Sequence, residues 1–144
     1  MPIKSKRWDE DREADDGFRV LVCRFRPRAL RKKDETWHAW VRDLGPSPKL
    51  HAEIYGKSKD GDGKPIKVKP MDWSVYAERY LQEMAASAEA QDYIGQLAEM
   101  VAAGQTVTLL CSRSCAREDH CHRSLLRRLI EERVSRLAAG GEAS

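Results

Sequence analysis

Thr106-Val-Thr-Leu-Leu-Cys111, followed beyond a polar loop by Leu125, Leu126, Leu129, Ile130, Val134 and Leu137, decides the fold. The six-residue run is β-branched or apolar and holds neither glycine nor proline, which predicts a buried strand. The later apolar residues recur at helical spacing and predict a helix. A strand that feeds a helix favours parallel pairing with right-handed crossovers. Working outward, Gly17-Phe-Arg-Val-Leu-Val-Cys-Arg-Phe25 is a second strand-like run, opened by glycine and ended by Arg26-Pro27. Strands separated by helices predict an α/β fold, here one small domain over 1–144 with a mostly parallel sheet flanked by helices.

Between the two strands, Trp37, Trp40, Val41 and Leu44 are spaced for a short helix closed by Gly45-Pro46. Ser47 is placed as an N-cap with Pro48 at the first helical position, predicting a brief helix toward Tyr55. Residues 56–70 hold three glycines, two prolines and five lysines with little to bury, so an exposed connection without regular structure is expected. Asp72 can cap a helix striped by Trp73, Tyr76, Ala77, Tyr80, Leu81 and Met84, and the stripe accounts for these aromatics as core. The next helix carries Ala90, Tyr93, Ile94, Leu97, Ala98 and Val101 on one face and stops at Gly104, a left-handed cap. Residues 138–144 are expected to fray.

Charged residues make up 34% of the 144 and apolar residues 41%, a globular balance. No run approaches the roughly twenty apolar residues of a bilayer span, and Met-Pro-Ile-Lys-Ser-Lys-Arg7 has no apolar signal core. A cytoplasmic protein with reduced thiols and no membrane partner is therefore expected. The net charge of +3 is modest, but Arg24, Arg26, Arg28, Arg31, Lys32 and Lys33 all precede Asp34, so the cationic residues cluster after the first strand.

In open α/β sheets ligands sit beyond the carboxyl ends of the strands. That rule points to residues 23–28 and to the loop 111–123, which holds three of the four cysteines, two of the four histidines and three arginines. A helix start favours anions and thiolates, so Cys121, His122 and Arg123 can face one anionic ligand, with Cys111 beside them. Cys111, Cys121 and His122 are the candidates for acid, base or nucleophile. Arg24, Arg26, Arg28 and Arg123 are the candidates for binding ligand oxygens. The same loop offers a zinc site from Cys111, Cys115, Cys121 and His120 or His122, although its x3 and x5 spacings are not paired knuckles. Cys111-x5-Arg117 has the bare spacing of the cysteine phosphatase loop but lacks that loop's glycines. As a plain structural alternative, Cys111 is a buried strand end, His122 caps a helix and the arginines are solvated.

Taken together, Gly17 to Arg28, Pro46-Ser-Pro-Lys-Leu50, Trp73-Ser-Val-Tyr-Ala-Glu-Arg-Tyr80, Gly104 to Ser112 and Cys121-His-Arg123 resemble, in order, the YeaO-like family, domain of unknown function 488, over about residues 3–133. The resemblance implies an α/β fold in bacterial or archaeal cytoplasmic proteins and assigns no catalytic roles. Where that family's first strand usually ends in aspartate before arginine, this chain has Cys23 before Arg24, which removes a carboxylate there. Cys115 and His120 look individual to this chain.

The sequence thus leads first to a pocket for a phosphate-bearing ligand, a nucleotide or nucleic-acid end. The alternatives are a zinc-binding structural or interaction module without enzymatic activity, and a nucleic-acid-binding accessory protein using residues 24–33 and 57–69.

Overall fold

The computed structural model describes residues 2–28, 30–112 and 120–143, with the side chains of 141–143 set aside. Four strands, β1 (Ile3–Arg7), β2 (Phe18–Leu21), β3 (Ala39–Trp40) and β6 (Val107–Cys111), form a sheet in the order β1-β6-β2-β3. Every pairing in it is parallel, with Leu21 opposite Leu110 and Arg7 opposite Cys111. β6 is buried along its whole length, as an apolar strand between two neighbours should be. Phe18 N–H donates to the Thr106 carbonyl at 2.9 Å. Gly17 permits that approach, since its φ is +64° and a Cβ there would lie 2.2 Å from the same oxygen.

Helices α1 (Pro48–Ile54), α2 (Trp73–Ala86), α3 (Ala88–Ala102) and α4 (His122–Ala143) bury their apolar stripes in one core with Ile3, Val20, Val22, Val107 and Leu109. Most of the expected stripe residues are buried, Tyr76, Tyr80 and Met84 on α2, Ile94, Leu97 and Val101 on α3, Leu125, Leu126 and Ile130 on α4, whereas Tyr93 and Leu137, expected on the same faces, are exposed. Ser47 caps α1 by accepting from Leu50 N–H at 3.2 Å, and Gly104, at φ +90°, follows the end of α3. Asp72 holds the N-cap position of α2 without a side-chain cap bond. Among the described residues no helix is long and apolar enough to cross a membrane.

Three local expectations are corrected. The segment around Trp37–Leu44 is the short strand β3 and a 3-10 turn at Arg42–Leu44, because its backbone pairs with the open edge of β2. Val41 N–H donates to the Leu21 carbonyl at 2.9 Å, and the Trp40 indole donates to the Cys23 carbonyl at 2.8 Å. Residues 56–70, expected to be irregular, contain an antiparallel hairpin of β4 (Lys57–Lys59) and β5 (Pro65–Lys67), which is exposed along both strands. Asp60 closes its turn by accepting from the N–H groups of Asp62 and Lys64. Finally, α4 continues to Ala143, so residues 138–143 are helical where fraying was expected.

β1 is held by charge. Asp16, 1% exposed, pairs with Arg19 of β2, with Lys6 of β1 at 2.9 Å and with Lys4 at 3.0 Å. Its carbonyl accepts from Thr108 of β6 at 2.7 Å. Burial alone would raise the Asp16 carboxyl, but bonds from Lys6, the Glu13 N–H and Lys4 outweigh it and hold the group well below the ordinary carboxylate value. Its stabilising contribution is therefore complete above that ordinary value and is lost as the pH falls toward the folded one. Asp16→Asn takes the carboxylate from the fully buried Arg19, while Lys4 keeps Asp15 and Lys6 keeps Glu13, and urea unfolding at neutral pH should show a loss of about 3–5 kcal/mol. A loss below about 1 kcal/mol, the range of a surface pair, would mean that the network does not anchor β1.

Candidate functional site

Because β2 and β6 run parallel and in register, their carboxyl ends arrive side by side. Val22 N–H donates to the Leu110 carbonyl at 3.0 Å, and the next residue, Cys23, brings its Sγ to 3.7 Å from Cys111 Sγ. α4 begins at the same edge, where Cys121 Sγ lies 3.4 Å from Cys111 Sγ. His122 Nδ1 lies 3.9 Å from Cys111 Sγ and 3.8 Å from Cys121 Sγ. All four residues are buried.

The other imidazole nitrogen fixes the chemistry of this cluster. His122 Nε2 lies 2.7 Å from the Val22 carbonyl, which can only accept, so Nε2 carries the proton and donates. In the neutral ring Nδ1 then presents its lone pair to the two sulfurs. Tyr80 packs its ring 5.5 Å from that imidazole and donates its hydroxyl to the Leu44 carbonyl at 2.7 Å. Burial, with the nearby Cys121 and Cys111, raises the Tyr80 phenol well above its ordinary value, so it stays protonated.

A cavity of about 780 Å³ opens over the cluster, and Cys23, Cys111, Cys121 and His122 form its floor. One wall is the segment after β2, with Arg24, Phe25, Arg26 and Arg28. His51 and Tyr55 of the α1 segment and Lys57 of the hairpin also line the cavity, with the His51 ring 5.2 Å from that of Phe25, and so do Trp8, Tyr76 and His120. Arg24 is fastened to the turn after β3, donating to the carbonyls of Pro46 at 2.8 Å and Gly45 at 3.3 Å. Arg26 pairs with Glu35 at 2.8 Å and lies over Trp37, so its charge is partly matched. Arg28 is exposed at the rim.

Sequence reasoning placed Cys111, Cys121, His122 and Arg24 at one strand end, and the structure brings them together there. Arg123 is 3% exposed in the first turn of α4 and is not among the described residues that line the cavity. His120, a candidate ligand, is exposed and packs on Trp73 with ring centroids 5.3 Å apart, away from the thiol cluster. Cys115 and Arg117 lie outside the described residues. Reasoning from sequence missed Cys23 as a neighbour of Cys111, the Val22 carbonyl, and the α1 residues of the lining. The spacing of His51 and Tyr55, i and i+4 on a helix, was the signal available for those residues.

A parallel sheet flanked by helices, with cysteine, histidine and arginine side chains gathered beyond two neighbouring carboxyl ends, defines a small α/β domain. The chain belongs to the DUF488 family: residues 3–134 match the model of the active DUF488-N3 subclade. It is 28% identical over 120 residues to the uncharacterized protein YeaO of Escherichia coli, covering 83% of this chain and 90% of YeaO. It is 27% identical over 131 residues to the uncharacterized protein Rv3073c of Mycobacterium tuberculosis, covering 91% of this chain and 95% of that one. No solved structure matches the chain.

Gly45 sets the distance between the Arg24 wall and the turn behind it. A Cβ at Gly45 would lie 2.4 Å from the Arg24 backbone nitrogen, so backbone must move to admit it. Gly45→Ala should destabilise the chain by about 1–3 kcal/mol in urea unfolding. An unchanged midpoint would mean that the wall is not held by this contact.

Proposed function

We propose that the cavity binds a phosphate-bearing ligand, such as a nucleotide or nucleic-acid end. One observation carries this reading: three arginines and a lysine line the cavity, and among the described residues no carboxylate does. Glu35 pairs with Arg26 and Asp43 lies 4.0 Å from Arg24, both from outside the lining, so these two charges are partly matched while the cavity itself presents their cationic side together with Arg28 and Lys57. Guanidinium groups suit phosphate oxygens because their donors form a planar fork. The volume lies in the range of about 300–1,000 Å³ typical of small-ligand pockets. Phe25 and Tyr55, 54% and 47% exposed at the rim, offer ring faces on which a base can stack. On the floor, His122 and the thiols of Cys111 and Cys121 are the groups suited to act on what is bound.

The test is calorimetric titration of the reduced chain with pyrophosphate, a mononucleotide and a short single-stranded oligonucleotide at low salt. Arg24→Ala and Arg28→Ala should each weaken binding about tenfold or more, as loss of a charged hydrogen bond does. If the lysines of the hairpin extend the site along a polynucleotide, affinity for the oligonucleotide should fall more steeply with salt than affinity for the mononucleotide. No binding of any of the three at low salt would overturn the reading.

A further inference from the structure

The floor of the cavity is itself a set of metal donors. Cys111 Sγ, Cys121 Sγ and His122 Nδ1 lie within 4.8 Å of one another, and their separations are 3.4, 3.8 and 3.9 Å. A tetrahedral ion bound at about 2.3 Å to sulfur and about 2.0 Å to nitrogen separates its sulfurs by about 3.8 Å and sulfur from nitrogen by about 3.5 Å. Movements of a few tenths of an ångström would bring the three donors to those distances. Two features make the cluster more than a group of buried polar side chains. His122 anchors Nε2–H on the Val22 carbonyl, the outer contact that orients a metal-binding imidazole and leaves Nδ1 as the ligand atom. The donors also come from two rigid elements, the end of the central strand and the first turn of α4, so little ordering is needed on binding.

We infer that Cys111, Cys121 and His122 bind one zinc-class divalent ion and that its fourth position opens into the cavity. Two thiolates and an imidazole select a soft or borderline ion over magnesium or calcium, which require oxygen ligands. All three ligand residues line the cavity, so a cavity ligand can reach the ion. Among the described residues three donors converge, and three protein ligands with one open position is the arrangement of reactive zinc centres, whereas structural centres have four. Cys23 is near Cys111 at 3.7 Å, yet the set of mutually close donor atoms does not include it. The inference stands on sulfur and imidazole geometry and does not need the anion reading, since an ion held by two thiolates and a neutral imidazole leaves the net charge of the cluster at zero.

The experiment is titration of the reduced, chelator-treated full chain with cobalt(II), then zinc(II), followed by visible and near-ultraviolet absorption. Expected are saturation at one equivalent, ligand-field bands of tetrahedral intensity, sulfur-to-cobalt charge transfer of two thiolates, and loss of all bands when zinc displaces cobalt. Cys111→Ser and Cys121→Ser should each lower zinc affinity at least tenfold while circular dichroism stays native. Cys23→Ser and Cys115→Ser should each lower it less than either ligand substitution does. Absence of stoichiometric binding, or a charge-transfer band from fewer than two thiolates, would overturn the site. A loss in Cys23→Ser or Cys115→Ser equal to that in Cys121→Ser would overturn the open fourth position. Arg24→Ala should leave the cobalt spectrum intact, so failure of anion binding and failure of metal binding are read separately.

Discussion

The hydrogen bond from His122 Nε2 to the Val22 carbonyl joins the end of β2 to the start of α4. It depends on two constraints. The parallel register of β2 and β6 brings Val22 beside Leu110 and Cys111, and the core stripe of α4 fixes the rotation of that helix. Given those, the bond settles which imidazole nitrogen is protonated and aims the other at two sulfurs. A side chain and a backbone carbonyl a hundred positions apart are thus joined, and among the described residues that line the cavity there is no carboxylate to orient the ring instead.

The rest of the sheet supports this edge. β1 flanks β6 on one side and β2 flanks it on the other, so β6 has no exposed edge and Cys111 is held at its end. What keeps a lysine-bearing strand in place is the buried Asp16 network, which touches β1, β2 and β6 together. Beyond the strand ends, the segment after β2 carries its arginines along one side of the opening. The carbonyls of Gly45 and Pro46 hold Arg24 there, and Lys57 of the hairpin lines the same cavity.

Elements whose stabilising interactions are local were legible in the sequence. β6 and the run behind β2 were read from apolar, β-branched composition, α1 from Ser47 and Pro48, and the end of α3 from Gly104. Elements stabilised by distant partners were not. β1 reads as Ile-Lys-Ser-Lys-Arg and pairs with β6 while Asp15, Asp16 and Glu13 match the charges of Lys4 and Lys6. The Trp37–Leu44 segment has apolar spacing close to helical, but its N–H and C=O groups find better partners on β2. The site divides in the same way. The sequence placed cysteine, histidine and arginine at one strand end through the parallel-sheet rule and named His122 as the acid–base candidate, but as a metal ligand it left His120 and His122 open. That choice depends on the Val22 carbonyl and on Trp73, which draws His120 aside.

Long-range nitrogen–proton correlation of the His122 imidazole by NMR tests the central claim most directly. The spectrum would be taken on the reduced full chain at about pH 8, above the ordinary imidazole range. The account predicts a proton on Nε2 and an unprotonated Nδ1, with or without a metal ion bound. A proton on Nδ1, with Nε2 bare, would contradict the bond to Val22 and with it the orientation of the ring toward Cys111 and Cys121.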